Sequence, residues 1–335
     1  MTEKKINTPR SAVSADFGYY PYPCDVKTKQ FTIKTLSNHK STVEAIKSHP
    51  NVINEWLYPG PQKNKNFLSE HVYLMPYNKR IFHLPKTHKI TLHKSVIQEE
   101  VDFIVWCLSF FTGIRLTTTE AGFLDAATIT AGKLVDFSLS GCNLSDAIGL
   151  SLNYLKAERN APRALRRVEA VIHALFLAQY PHSLPFEQFQ YLYMALDACF
   201  SLVIAKEKIQ TGPANNNSPP KNLHVPHGKR IQYMCEKFSL PVPDWAGSTT
   251  NITELSSIRN DVLHEALFFG QPLGFAIYGG NEAALNHSNV TLQMQALVCR
   301  LLVAILGKPG VSYVKTPVDT RQRHALELRP RPSSN

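Results

Sequence analysis

Cysteine is sparse: Cys24, Cys107, Cys142, Cys199, Cys235 and Cys299 stand far apart in 335 residues, without the paired spacing of a zinc site or a redox motif. Several fall in apolar stripes, where a reduced buried thiol is the ordinary state, so no disulfides are expected. Long hydrophobic runs are lacking as well. The longest, Phe103 to Ile114, is far short of the roughly 20 residues a membrane helix needs, which predicts no membrane span. Met1 to Ile6 has no apolar core of the signal-peptide kind, so a cytoplasmic location is expected. No internal repeat is present. His83, His88 and His93 fall at steps of five, a spacing that strands do not make converge, and no metal or other cofactor is expected. Acidic charge is in deficit, with 26 Asp and Glu against 36 Lys and Arg, a balance that suits a polyanionic partner.

A hydrophobic share of 44% fits an ordered globular protein, and the length exceeds what one core usually serves, so two domains are expected. The pattern changes near residue 140. Before it, Phe31 to Lys34, His71 to Leu74, Lys89 to Leu92 and Val135 to Leu139 alternate apolar and polar residues between Pro- and Gly-bearing turns, as strands do. One helix interrupts them: Ile97, Val101, Ile104, Val105, Leu108 and Phe111 keep helical spacing up to Gly113 and would pack on the sheet. After Gly141 the pattern is helical almost throughout, broken by Thr211 to Pro220, a surface loop by composition. The expected class is α+β: a strand-rich domain over 1–140, a helical domain over 141–310, and a basic Pro-rich tail over 311–335. That tail carries Lys315, Arg321, Arg323, Arg329 and Arg331 and reads as a solvated, disordered segment.

The most informative stretch is Arg259-Asn260-Asp261-Val262-Leu263-His264, followed by Glu265-Ala266-Leu267-Phe268-Phe269-Gly270. Leu255, Ile258, Val262 and Ala266 recur at three- and four-residue steps, predicting an inward stripe on a helix from about Ile252 to Phe268. Thr250 or Thr253 would cap its start, and Gly270 with Pro272 supplies stop signals. Residues four apart stack on one face, so Asn260 and His264 are neighbours there, with Arg259 able to swing beside them. A permanent cation, an amide and a titratable imidazole on one turn are what phosphodiester cleavage without a metal needs. By chance, an Arg and a His at one fixed spacing arise about 0.5 times in such a chain, so context must choose. Arg167 and His173, with five residues between them instead of four, form a similar pair that lacks the following Asn and any nearby stop signal; context selects Arg259.

An Arg followed by Asn and then a His, near the end of a late helix in a helical domain, resembles the signature of the HEPN family, many of whose members are metal-independent ribonucleases. The likeness extends to a long preceding helix containing Phe186 to Asp197, a shorter one around Ile231 to Phe238, and a closing one from Val290 to Leu306. It covers about half of the chain and implies an all-α helical bundle. The family's roles pass to His264 for proton transfer, Arg259 for the phosphate and Asn260 as an orienting group, with Asp197 and Asp261 in support. They imply attack by a ribose 2′-hydroxyl, leaving a 2′,3′-cyclic phosphate and a 5′-hydroxyl. In that family the site is shared across a two-fold axis, which implies a homodimer. The stripe Met294, Leu297, Val298, Leu301, Leu302 and Ile305 would serve core or interface, with core the safer expectation. Asp197 would either pair with Arg259 or stand as a surface carboxylate.

Arg159, Arg163, Arg166 and Arg167, on one helical segment with Lys156, form a cluster suited to RNA backbone, the alternative being a solvated helix face. A strand-rich front before a helical half, with Phe110-Phe111-Thr112-Gly113 closing the front helix, resembles HEPN proteins of phage defence. The front domain would then sense a phage or regulatory trigger, or restrain the effector. The alternative is a catalytically silent module of the same fold that binds RNA or nucleotide, or scaffolds a partner protein.

Overall fold

The computed structural model describes residues 12–60, 63–66, 68–74, 84–94, 97–118, 126–139, 144–210, 225–247, 253–273, 282–318 and 322–329. Its class is α+β, strand-rich first and helical afterwards. The chain divides into two units after Lys133.

In the first unit, strands β1 (Val13–Phe17), β2 (Val26–Lys27) and β3 (Phe31–Thr35) precede α1 (His39–Lys47). Short strands β4 (Val52–Ile53), β5 (Trp56–Leu57), β6 (Lys63–Lys65) and β7 (Val72–Leu74) follow, then β8 (His88–Leu92), α2 (Gln98–Thr112) and β9 (Ala127–Thr128). The main sheet has the order β1-β8-β3-β2 and is antiparallel throughout. Ile90 pairs with Ala15 on one side and Ile33 on the other. Because side chains alternate along a strand, Phe31, Ile33, His88, Ile90 and Leu92 all reach the buried face. The α2 helix packs on β1 and β8. Val101, Ile104, Val105, Leu108 and Phe111 are buried as their spacing predicts, whereas Ile97 is half exposed just before the helix begins. Gly113 ends α2 with φ 59°, a left-handed turn that glycine adopts without a side-chain penalty.

The sequence led to one helix in this unit, but among the described residues there are two, the first of them, α1, not legible in the sequence. The nine residues of α1 bury His39, Val43 and Ile46, too few apolar positions for a periodic signal. His39 is there for His88, whose ring lies 5.2 Å from it, 5.5 Å from Phe17 and 5.6 Å from Tyr20. His88 Nδ1 lies 3.0 Å from Thr87 Oγ1, and the ring has no exposed surface. It does not converge with His93, which bonds Thr32 across the sheet at 3.0 Å, while His83 lies outside the described residues. Burial, then the neighbouring His39, pushes the His88 pKa from 6.5 down to about 4.

A pH dependence follows. The unfolded chain protonates His88 as pH falls below its ordinary value, while the folded chain does so only near pH 4. The stability of this unit is therefore expected to fall by on the order of 3 kcal/mol as pH drops from the ordinary imidazole range towards the folded value, and to level off below it. Urea unfolding across that window checks this, and His88→Phe, which keeps the aromatic packing, is expected to flatten the dependence.

The second unit holds β10 (Phe137–Leu139), α3 (Leu144–Ala157), α4 (Pro162–Leu177), α5 (Pro185–Gln210), α6 (Arg230–Phe238), α7 (Glu254–Asn260), β11 (Leu267–Phe268), β12 (Gln271–Pro272), α8 (Glu282–Ile305) and β13 (His324–Leu326). The α4, α5 and α8 helices pack on one another around α5. Met294, Leu297, Val298, Leu301, Leu302 and Ile305 of α8 are buried within the chain itself, so this stripe is core. Pro185–Glu207 of α5 is long and apolar enough to cross a membrane by length and composition alone, but here it is the helix on which α4 and α8 pack. Glu187, Gln188, Gln190 and Asp197 interrupt it, so it forms no unbroken apolar run. Of the five cysteines among the described residues, Cys24 is half-buried and Cys107, Cys199, Cys235 and Cys299 are buried; the Thr211 to Pro220 loop lies outside the described residues.

Three expectations are corrected. The boundary lies after Lys133, not near 140, because the strand expected in the front domain is β10, which pairs in parallel with β13. With β10–β13 and the β11–β12 hairpin, the second unit is not all-α. The residues after 310 are not a free tail over their described part: Tyr313, Val314, Val318, Leu326 and Leu328 are buried. Arg329 pairs with Asp146 at 2.8 Å, and Arg323 donates to the Phe137 carbonyl at 3.5 Å. Arg321 and Arg331 lie outside the described residues.

What holds this segment is Arg300. Its side chain is fully buried and makes five hydrogen bonds. Nη1 reaches Asp136 Oδ2 at 2.7 Å and the Ala296 carbonyl at 2.9 Å; Nε and Nη2 reach the Thr316 carbonyl, Thr316 Oγ1 and the Pro317 carbonyl, each at 2.9 Å. Its guanidinium also lies 4.8 Å over the Tyr313 ring, whose hydroxyl donates to Asp136 Oδ1.

Candidate functional site

The helix carrying Arg259 is shorter than its sequence pattern suggests. A capping box starts it: Thr253 Oγ1 accepts from the Ser256 N–H at 3.1 Å, and Ser256 Oγ accepts from the Thr253 N–H at 2.9 Å. Thr253→Ala is expected to cost about 1 kcal/mol, read by urea unfolding, because one orphan N–H loses its acceptor in a buried place. The α7 helix then runs to Asn260 and widens into a π-helical turn, Asp261–Glu265, in which the Ala266 N–H reaches back to the Asp261 carbonyl. Such turns are rare and concentrate at functional sites.

Leu255, Ile258 and Val262 are buried as expected, but Ala266 is not part of the stripe. It is exposed, adopts φ 54° and ends the helical run, after which Leu267 and Phe268 enter the hairpin with Gln271 and Pro272. The expected helix to Phe268 therefore stops three residues early. Phe268 instead buries its ring against Phe189 of α5, at 5.6 Å.

Arg259 is half-buried, and its Nη1 donates to Asn260 Oδ1 at 2.9 Å. Asn260 thus meets Arg259, and no hydrogen bond joins it to His264 among the described residues. His264 stands exposed near the end of the π turn, and half-buried Asp261 begins it.

Asp197 does not pair with Arg259. Its Oδ1 accepts from Arg230 Nη1 at 3.1 Å, and its Oδ2 lies 3.5 Å from His227 Nε2. His227, on a 3-10 turn before α6, continues the chain: its Nδ1 lies 3.0 Å from the Tyr193 hydroxyl, with the two rings nearly parallel at 7°. Arg230 is steadied from behind by the Phe200 ring, 4.9 Å from its guanidinium. Tyr193, Asp197, His227, Arg230, Thr253 and Ser256 line one shallow cleft.

Arg259 belongs to this neighbourhood electrostatically. Burial pushes the Tyr193 pKa up to about 12, and Asp197 adds to that, while the charges of Arg259 and Arg230 oppose it. Burial holds the His227 pKa below its ordinary value; Asp197 works against this, and Arg230 and Arg259 reinforce it. Tyr193 and Asp197 stand four apart on α5 and so share a face, a signal present in the sequence. The partnership with His227 and Arg230 spans 34 and 33 residues, and no local periodicity encodes it.

The basic cluster is divided. Lys156 lies on α3, which ends at Ala157, Arg159 lies in the turn, and Arg163, Arg166 and Arg167 lie on α4. The chain turns between them because the backbone before Pro162 cannot continue as a helix. Arg163 and Arg166 are exposed and Arg167 half-buried. Among the described residues no three His, Cys, Asp or Glu side chains gather as a metal site would require. Comparison with protein-family models, with curated proteins and with solved structures finds no match.

Proposed function

We propose that the second unit is a metal-independent endoribonuclease in the manner of the HEPN family. One observation carries the reading: α7, whose first turn lines a polar cleft holding the Arg230 guanidinium, carries a half-buried Arg259 at its end and passes into a π turn that leaves His264 in solvent. Arg259 offers the planar, permanently charged fork that matches phosphate oxygens, and Asn260 accepts one of its hydrogen bonds. His264 exchanges a proton with the reacting 2′- or 5′-oxygen. Attack by the ribose 2′-hydroxyl leaves a 2′,3′-cyclic phosphate and a 5′-hydroxyl, which is why DNA is not cut.

Arg163, Arg166 and Arg167 on α4 supply backbone contacts, a homodimer shares the site, and the first unit receives the trigger of a defence or toxin effector acting in the cytoplasm. One observation favours the silent alternative, a module that binds RNA or nucleotide or scaffolds a partner. Among the described residues no hydrogen bond orients the His264 ring.

The test incubates wild-type and His264→Ala protein with total cellular RNA in excess EDTA and maps cut sites and end chemistry. Cutting by wild type alone, with cyclic phosphate ends, is the expected result. Equal cutting by both proteins, or by neither, would reject it.

A further inference from the structure

The main sheet of the first unit buries one face and leaves the other open. Side chains alternate along a strand, and residues paired directly across strands point the same way. The pairings Asp16–Lys89–Lys34 and Ser14–Thr91–Thr32–Lys27 therefore cross the open face as two rows. Lys27, Lys34 and Lys89 are exposed, and so are Lys29, in the turn between β2 and β3, and Lys94, just past β8. Asp16 is the one carboxylate in these rows, 3.9 Å from Lys89, and among the described residues no carboxylate pairs with the other four lysines. Asp25, just before β2, accepts from the Thr35 N–H at 2.9 Å. Hydroxyls and an imidazole stand among the lysines: Ser14 Oγ lies 2.7 Å from Thr91 Oγ1, and Thr32 Oγ1 lies 3.0 Å from His93 Nε2.

This arrangement costs stability. Lys34 and Lys89 stand directly opposite on adjacent strands, where like charges repel. Lysines that block edge-to-edge pairing belong on edge strands, which suits Lys27 on β2, but β3 and β8 are the two inner strands. A face made only to be solvated needs polar side chains, not charges of one sign set a strand spacing of about 4.8 Å apart. A polyanion laid across the face relieves the repulsion. No aromatic side chain stands in the two rows, so the face lacks the stacking platform that holds unpaired bases. It offers cations and hydroxyl donors, the groups that hold the sugar–phosphate backbone without reading sequence. A duplex presents one phosphate charge per roughly 1.7 Å of its axis.

We infer that the open face of the β1-β8-β3-β2 sheet binds the phosphate backbone of a nucleic-acid duplex through Lys27, Lys34 and Lys89, with Thr32 and Thr91 donating to phosphate oxygens between them. The inference goes beyond the ribonuclease reading and does not rest on it. It gives the first unit a ligand of its own, whichever chemistry the second unit performs.

The experiment titrates a short fluorescently labelled duplex, as DNA and as RNA, and the matching single strands with the full chain in EDTA, over a series of salt concentrations. Every protein carries His264→Ala so that RNA stays intact. The reference chain is compared with one carrying Lys27→Gln, Lys34→Gln and Lys89→Gln together, and with one carrying Arg163→Gln and Arg166→Gln on α4. The lysine variant is expected to bind the duplex at least roughly tenfold more weakly and to lower the slope of log affinity against log salt by about 3, one for each lysine. Its Tm should equal or exceed that of the reference, because the Lys34–Lys89 repulsion is gone, which separates lost binding from lost folding. Binding of either duplex supports the inference, and the tighter of the two names the ligand. A lysine variant that binds within twofold of the reference with an unchanged slope overturns it. So does a reference chain that binds no duplex, or that prefers single strands or phosphatidylserine vesicles. Loss confined to the α4 variant leaves the RNA contacts of the ribonuclease reading standing and the sheet face without a ligand.

Discussion

Arg300→Leu is expected to destabilise the second unit by about 3–5 kcal/mol, the cost of breaking a buried ion pair by removing one partner. The guanidinium has no exposed surface and Asp136 is 17% exposed, so water cannot replace what the substitution removes. Four acceptors besides Asp136 lose the Arg300 side chain as a donor: the carbonyls of Ala296, Thr316 and Pro317, and Thr316 Oγ1. Each buried acceptor left unpaired adds its own desolvation penalty. For a unit of this size the loss corresponds to a fall in Tm of roughly 6–20 °C. Thermal unfolding checks the magnitude, and limited proteolysis checks the location. Because Arg300 joins α8 to the turn at Ser312–Lys315 and to Asp136 beside β10, cleavage should appear first after residue 310. A Tm within 2 °C of wild type, or first cuts elsewhere, would show that the segment is held by its apolar residues alone.

The second large effect concerns chemistry rather than folding. On the ribonuclease proposal, His264→Ala is expected to slow RNA cleavage by roughly 10²–10⁴-fold, the usual contribution of a proton-transfer group. It should do so with an unfolding midpoint within about 0.5 kcal/mol of wild type, because surface substitutions away from packed features rarely cost more. His264 is exposed and holds no hydrogen bond among the described residues, so nothing in the fold depends on it. Single-turnover rates in excess EDTA, beside urea unfolding of the same preparations, separate the two quantities. A variant that cuts normally would move the site elsewhere. One that neither cuts nor folds would show that the imidazole is structural.

How much of this was legible differs by residue. Val101 to Phe111 announced α2 because a buried helix on a sheet needs apolar side chains at helical steps, and Gly113 announced its end through its left-handed φ. Leu255, Ile258 and Val262 announced α7 in the same way. Ala266 misled: its spacing continued the stripe, but the π turn had already taken the chain off the α-helical repeat. Asp197 was singled out, yet its partners proved to be Arg230 and His227, because which cation reaches a carboxylate depends on how α5, α6 and α7 pack. The residues after 310 looked like a tail because Pro and basic residues dominate their composition. Arg300, one charged residue inside an apolar stripe, was the overlooked sign that something polar had to meet it there.

What the amino-acid sequence by itself determined is the local part: a strand-rich beginning, a helical continuation, the helices α2, α5 and α8, and an Arg-Asn turn with a histidine one turn on. Those features follow from side-chain periodicity and capping chemistry, which act over a few neighbouring residues. Only the tertiary structure decided that β10 pairs with β13, that Arg300 ties the C-terminal segment to α8, and that Tyr193, His227, Asp197 and Arg230 meet in one cleft. Those arrangements join residues tens to hundreds apart. They form because buried polar groups must find partners wherever the packing of the helices brings them.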